Sequence, residues 1–336
     1  MIKLGIISLN HPHSVGNHLP ALKYMTDRIR VEAIYNDDRD YAEEWLRLFK
    51  CKYYPSRDAL LADPDIDVVL ITSINQNHAA DAIAAAKAGK DILCDKPIAL
   101  SVEETIQLRA AIEQSGVRFF TTFPVRFNSA VQELKKQVEA GEFGQIKAIM
   151  ATNHGCMYEP GAPDWVFDPK KNGGGCIVDH TVHVADIIRW LTNSEFSTVN
   201  AKMRKAALHD NIVSEDIAVM HGNMQNGCIW QIDASWNRRP EDPMWGDVTL
   251  RVIGTLKSAY LDIYNNQPVE IYTQGQISNY YLNSIVFEHG LIFDDYIQAV
   301  KNGKSIGADL EDGIKTIELV INAYKSVAQG KTISCI

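Results

Sequence analysis

The feature that most constrains this chain is a rhythm that runs from its start to Thr122. Short, uninterrupted apolar runs alternate there with amphipathic stretches. A run such as Val68-Val69-Leu70-Ile71 offers no polar face, and a strand that is apolar on both sides has to be covered on both sides. The stretches between the runs carry the 3.6-residue period of helices that supply such cover. The spacing predicts strands over Lys3–Ser8, Val31–Tyr35, Val68–Thr72, Asp91–Cys94 and Arg118–Thr122. It predicts helices over Ser14–Met25, Tyr41–Phe49, His78–Ala88 and Val102–Ser115. Ser101 and Glu104 form a capping-box pair ahead of the last helix, and Gly89 suits a helix C-terminus. The expectation is a doubly wound parallel α/β sheet, in which ligands bind at the carboxyl ends of the strands.

After Phe123 the rhythm changes. Two helices, Ser129–Ala140 and Ile177–Leu191, stand among longer strands at Ile146–Asn153, Thr198–Met203, Asp216–Gly222, Cys228–Ala234, Val248–Ile253 and Ala259–Ile263. Asn226-Gly227 is a strong hairpin signal. Trp230, Ile232, Ala234 and Trp236 alternate with other residues, which predicts one buried face. Helices over Phe293–Asn302 and Leu310–Ala328 close the chain. The expected organisation is a first domain over 1–122 and an α+β domain over 123–336 with a large, mainly antiparallel open sheet. That sheet's broad face, with its alternating aromatic residues, is expected to be covered by a second copy, giving a homodimer or a tetramer of dimers.

Composition narrows the function classes. A chain of 336 residues with a net charge of -9 lacks the basic excess of a nucleic-acid-binding surface. No apolar run reaches the length of a membrane span, and no secretory leader precedes the first strand. The six cysteines form no CxxC pair and read as reduced thiols. A cytoplasmic protein is expected.

Several segments carry chemistry. The first strand-to-helix turn is Gly5-Ile6-Ile7-Ser8-Leu9-Asn10-His11-Pro12-His13. A dinucleotide fold usually places G-x-G-x-x-G there, so that backbone amides approach a pyrophosphate. Ser8, Asn10 and His13 stand in place of the three glycines. Asn tolerates positive φ, while Ser and His can donate hydrogen bonds. Asn36-Asp37 ends the second strand, where a carboxylate binds ribose hydroxyls and disfavours a 2′-phosphate, favouring NAD over NADP. Asp95-Lys96-Pro97 follows a strand at its carboxyl end, and a lysine there can stabilise developing negative charge.

The segment Gly173–Asp186 places Asp179, His183 and Asp186 at i, i+4 and i+7, on one helical face. A neutral His183 can take the proton of a carbinol, and Asp179 can orient it or bind substrate. The i, i+4 pair also has the spacing of helical metal ligands, and His11, His13, His154 and His180 could add nitrogen donors. No segment completes a metal signature, so no metal is expected.

Together these segments resemble the glucose-fructose oxidoreductase / inositol dehydrogenase / rhizopine-catabolism family over nearly the whole chain. The landmarks are Thr72–His78 with Asn75; Ala88-Gly89-Lys90-Asp91-Ile92-Leu93-Cys94-Asp95-Lys96-Pro97; Arg126-Phe127; Gly141–Gly144; Trp165; Gly173–Asp186; Ile253-Gly254-Thr255; and Glu311-Asp312-Gly313. The resemblance implies a Rossmann domain that binds NAD or NADP. It implies oxidation or reduction of a hydroxyl or carbonyl on a sugar, cyclitol or related polyol. The cofactor residues it implies are Ser8, Asn10, His11, His13, Asn36, Asp37, Ser73, Asn75, His78, Asp95, Lys96 and Pro97. The substrate residues are Arg126, Trp165, Asp179, His180 and His183. Lys96, Asp179 and His183 are the implied catalytic set, with His183 the acid/base.

Two other readings stay open at this level. One is a redox-neutral or metal-assisted enzyme using His11, His13 or His180. The other is a ligand sensor without turnover, which the glycine-free first turn would suit. The irregular stretch Gly155–Asn172 is a candidate substrate loop.

Overall fold

The computed structural model describes all residues except 157–162, 206–211, 243–244, 265–267, 274–275, 282–284 and 336. By packing, the chain forms two compact units. The first comprises Met1–Pro124, Lys170–Gly173 and Ile285–Ile317; the second comprises Val125–Pro169, Gly174–Ser284 and Glu318–Ile336. The expected division at 122/123 lies two residues from the first crossing at 124/125. Ile285–Ile317 belongs to the first unit because Phe293, Tyr296 and Ile297 enter one of its apolar cores and Leu310 and Ile314 the other.

In the first unit, strands β1 (Ile2–Ile7), β2 (Ile29–Tyr35), β3 (Lys52–Tyr54), β4 (Val68–Ile71), β5 (Asp91–Cys94) and β6 (Phe119–Thr121) form one sheet in the order β3-β2-β1-β4-β5-β6. Every pairing is parallel. This is the doubly wound order, with its switch point between β1 and β4. Val68 to Ile71 are at most 1% exposed, as a strand covered on both faces must be. Ser101 Oγ accepts from Glu104 N at 3.2 Å, while Glu104 Oε2 accepts from Leu100 N at 2.6 Å, so the capping box closes one residue earlier than its usual form.

Three local features depart from the expected pattern. The predicted helix over Ser14–Met25 is a π-helical turn over Ser14–His18 followed by a short helix over Leu19–Leu22. Pro20 explains the break: it lacks an N–H, and its ring excludes an ordinary i→i−4 turn around Gly16. Lys52–Tyr54 is an edge strand too short to show a period. The helix over Ile285–Asn302 starts eight residues before the predicted Phe293 and continues through Gly290.

In the second unit, β7 (Ile146–Gly155), β8 (Thr198–Lys205), β9 (Glu215–Asn223), β10 (Ile229–Ser235), β11 (Gly246–Gly254), β12 (Ser258–Asp262) and the short β15 (Ile333–Ser334) form a seven-stranded sheet. Two further strands, β13 (Pro268–Thr273) and β14 (Gln276–Tyr281), pair as a separate hairpin. The seven-stranded sheet is antiparallel except where β7 meets β10. Gly227, at φ 83°, turns the β9–β10 hairpin, and Asn226 Oδ1 accepts from Cys228 N at 3.0 Å.

The helix over Cys176–Thr192 packs on one face of this sheet. Trp230, Ile232, Ala234 and Trp236 are all fully buried. The aromatic side is therefore the covered one, which corrects the expectation that it is presented to a second copy. The opposite face carries Met150, Val219, Ile229 and Tyr260, exposed by 36–66%, among charged and polar neighbours.

Candidate active site

The first unit builds a cleft of about 360 Å³ where β1, β2 and β4 end, lined by Ser8, Asn10, Tyr35, Asp37, Arg57, Ser73 and Asp81 among others. It lies at the topological switch point, where dinucleotides bind in such sheets. Ser8 adopts φ 69°, the left-handed conformation normally left to glycine. The fold holds it there: Ser8 N donates to Tyr35 O at 2.7 Å and Thr72 Oγ1 donates to Ser8 O at 2.7 Å. The turn is thus as tight as a glycine turn without the glycine. Tyr35 Oη donates to Asp37 Oδ1 at 2.5 Å, which pushes the tyrosine up to about 12, the hydrogen bond being the main cause and burial the next. Ser73 Oγ donates to Asp81 Oδ2 at 2.7 Å, and Arg57 bridges to the same carboxylate at 3.0 Å. A carboxylate at the end of β2 and hydroxyls beside it suit an adenosine ribose.

Of the residues expected at the cofactor, Ser8, Asn10, Asp37 and Ser73 share this cleft. Asn36 does not: it is fully buried, its Oδ1 accepts from Leu9 N at 2.8 Å, and its Nδ2 donates to Asp38 O at 2.8 Å. Its amide shapes the turn. Asn75 is likewise turned to Asn172, with Nδ2 donating to Asn172 Oδ1 at 2.6 Å. The two ring nitrogens of His78 lie 2.7 Å from Pro97 O and 2.8 Å from Ser73 O, so His78 ties the two loops together. Lys96 is 1% exposed and its peptide bond to Pro97 is cis.

His11, His13 and Asp95 form a second cluster in this unit. Asp95 is wholly buried. Its Oδ1 accepts from Lys96 N at 2.8 Å and from Thr122 Oγ1 at 3.1 Å. Its Oδ2 lies 3.3 Å from His11 Nδ1, 3.2 Å from His13 Nδ1 and 3.5 Å from His18 Nε2. Burial pushes His11 well below the usual histidine value and lowers His18 too. Burial alone would raise Asp95, but His13 and His11 more than reverse this and hold it well below the carboxylate range. Sequence reasoning singled out the two histidines and the aspartate separately. It missed His18, whose approach depends on the π-helical turn.

The second unit positions Asp179, His180 and His183 on the helix over Cys176–Thr192. Glu215 caps this helix: its Oε1 accepts from Gly175 N at 2.8 Å, from Ile177 N at 3.1 Å and from Tyr324 Oη at 2.6 Å. A negative charge at a helix N-terminus is favourable. Asp179 Oδ2 accepts from Trp236 Nε1 at 3.2 Å and lies 3.2 Å from His180 Nε2. His180 is fixed in turn by Asn153, whose carbonyl lies 3.0 Å from its Nδ1 and whose Nδ2 donates to His180 O at 3.0 Å. His183, 8% exposed, lies one turn beyond Asp179. Trp165 is buried in a 3₁₀ turn over Asp164–Phe167. Residues 157–162 of the expected substrate loop Gly155–Asn172 lie outside the described residues.

Arg126 departs from its expected role. Its Nε and Nη2 donate to Asp186 Oδ2 and Oδ1 at 2.7 and 2.5 Å, with both residues buried, and its guanidinium lies 5.4 Å from the Trp190 ring centre. The Nε–Nη2 edge of the guanidinium is committed to Asp186. The third charged residue of the helical face is therefore half of a structural pair.

The parallel sheet in 3-2-1-4-5-6 order, with a ribose-type cleft at its switch point, defines a dinucleotide-binding oxidoreductase fold joined to an α+β unit. The comparisons agree with this. Residues 13–123 match the family model described as the GFO/IDH/MocA oxidoreductase family, NAD-binding Rossmann fold, and residues 131–260 match that of the GFO/IDH/MocA C-terminal domain. The chain belongs to the GFO/IDH/MocA family of NAD-binding oxidoreductases. It is 27% identical to a myo-inositol 2-dehydrogenase of Thermotoga maritima, over 99% of this chain and 98% of the relative. It is 28% identical to a scyllo-inositol 2-dehydrogenase (NAD(+)) of Bacillus subtilis, over 82% of this chain and 79% of the relative. The crystal structure of a scyllo-inositol dehydrogenase from Lactobacillus casei with bound NAD(H) and scyllo-inositol superposes with a TM-score of 0.85 at 20% identity. That match covers 100% of this chain and 99% of the other.

Proposed function

We propose that the chain is an NAD-dependent dehydrogenase of a cyclitol, sugar or related polyol. In this reading His183 takes the proton of the carbinol that is oxidised, Asp179 binds the substrate and orients it, and Lys96 steadies the oxygen as negative charge develops. Asp37 holds the adenosine ribose, and Ser8, Asn10 and Ser73 hold the remainder of the dinucleotide in the cleft of the first unit. The dinucleotide supplies the hydride acceptor. The observation that carries the reading is the pairing of an acidic and an imidazole group one turn apart on a helix whose start is fixed by Glu215. A general base has to be held still at hydrogen-bond reach of its proton. His180 and Trp236, both touching Asp179, suit recognition of ring hydroxyls.

The exposed face of the seven-stranded sheet, with Met150, Val219, Ile229 and Tyr260, is the surface we propose for a second copy, giving a dimer or a dimer of dimers. All six cysteines are free thiols, and among the described residues no helix is long and apolar enough to cross a membrane. Both support an enzyme of the cytoplasm. The test is a panel of inositols, anhydrosugars and aldoses with NAD⁺, followed by absorbance of the reduced nicotinamide. Turnover of at least one polyol that His183→Asn abolishes is the expected result. Equal turnover in wild type and His183→Asn would overturn the assignment of the base.

A further inference from the structure

We propose that His11, His13 and Asp95 bind a divalent transition-metal ion of the zinc class, with His18 as the neighbouring fourth group. The site lies wholly within the first unit and does not depend on the substrate assignment above. One ligand atom of each of His11, His13 and Asp95 lies within 4.8 Å of the others. The spacing around Asp95 Oδ2 is the informative quantity. An ion with bonds of about 2.0–2.1 Å in tetrahedral geometry separates its ligand atoms by about 3.3 Å. The observed separations from Oδ2 to His11 Nδ1, His13 Nδ1 and His18 Nε2 are 3.3, 3.2 and 3.5 Å.

Three further observations point the same way. His13 N donates to His11 Nδ1 at 3.2 Å, so that nitrogen is the unprotonated one of the ring, and an ion would take over the lone pair that the amide now engages. Two lone-pair atoms, His11 Nδ1 and Asp95 Oδ2, then face each other at 3.3 Å, an arrangement a cation between them stabilises. Asp95 Oδ2 and both ring nitrogens of the fully buried His18 make no hydrogen bond of good geometry. The outer shell is present as well: Thr122 Oγ1 and Lys96 N fix the other carboxylate oxygen, the kind of support that orients a metal-bound carboxylate. Two imidazoles with one carboxylate suit Zn²⁺, Co²⁺ or Fe²⁺ over Mg²⁺ or Ca²⁺, which prefer all-oxygen sites.

The experiment is titration of the chelator-treated, full-length protein with Co²⁺, following its visible d–d absorption, and then displacement by Zn²⁺. His13→Gln, His11→Gln and His18→Gln are run beside wild type, with circular dichroism and the thermal midpoint reporting on folding. His154→Gln is the control, because His154 lies between Asp233 and Asp247 in the second unit. The expected result is one Co²⁺ per chain. Affinity should fall by at least about 100-fold in the folded His13→Gln or His11→Gln protein, fall by about 10- to 100-fold in His18→Gln, and stay unchanged in His154→Gln. No stoichiometric Co²⁺ spectrum in wild type, or a spectrum lost in His154→Gln and kept in His13→Gln, would overturn the proposal.

Discussion

Replacing Asp186 by asparagine separates a structural role for Arg126 from a substrate-binding one. The pair is bidentate, at 2.7 and 2.5 Å, and both residues are at most 3% exposed. Asparagine keeps the shape and one acceptor but leaves the guanidinium without its counter-charge. Breaking a buried pair from one side costs about 3–5 kcal/mol. The retained amide oxygen places Asp186→Asn near the low end, about 3 kcal/mol. For a unit of this size each kcal/mol lowers the midpoint by roughly 2–4 °C, so a fall of roughly 6–12 °C is expected. The double variant Arg126→Met/Asp186→Leu removes both charges and keeps an apolar contact for Trp190. It should regain most of the loss, because the pair's desolvation cost disappears with it. Differential scanning calorimetry of Arg126→Met, Asp186→Leu and the double completes a mutant cycle. A change below about 1 °C in Asp186→Asn, accompanied by a rise in KM for the polyol, would refute the structural assignment and return Arg126 to the substrate.

Three other outcomes follow from the geometry. His183→Asn and Asp179→Asn should each lower kcat by about 10²- to 10⁴-fold while leaving NADH affinity unchanged, as measured by nicotinamide fluorescence. Stability should fall as pH rises through about 9. His154 is raised to about 9 because its hydrogen bonds to Asp233 and Asp247 outweigh burial, which would lower it. A histidine raised in the folded state contributes fully below its unfolded value of about 6.5 and loses that contribution above its folded one, here about 1–2 kcal/mol after allowance for solvent screening. The thermal midpoint should therefore drop between pH 6.5 and pH 9.5, and His154→Gln should flatten the drop. Gly174→Ala should destabilise the second unit, since a Cβ there would lie 1.9 Å from the Tyr324 oxygen that donates to Glu215, the cap of the helix over Cys176–Thr192. Weakened tyrosine fluorescence protection or a lower midpoint checks this, and an unchanged midpoint would count against that cap.

What the sequence disclosed, and what it hid, divides along the range of the interactions. Val68–Ile71, the Ser101–Glu104 cap and the Asn226-Gly227 turn are written in a few adjacent residues, and each forms where expected. The face shared by Asp179, His183 and Asp186 follows from helix geometry alone. Arg126 is different: its partner lies sixty residues away, and nothing local distinguishes a guanidinium bound to Asp186 from one held for a ligand. The same holds for Asn36, whose amide is used by Leu9 N, twenty-seven residues before it. Alternation in Trp230–Trp236 showed that one face is buried but not what buries it, and the answer is the chain's own helix. The convergence of His11, His13 and His18 on Asp95 required both the β5 end and the break that Pro20 imposes, and no single segment contains both.

The central claim is that a first turn with Ser8, Asn10 and His13 in place of three glycines still holds a dinucleotide. Titration of nucleotide-free protein with NADH and NADPH, followed by nicotinamide fluorescence, tests it directly, with Asp37→Ser alongside. The account predicts saturable binding of NADH, weaker binding of NADPH by about tenfold or more, and a narrowing of that gap in Asp37→Ser as the carboxylate that repels a 2′-phosphate is removed. No saturation by either nucleotide at millimolar concentration would contradict the claim.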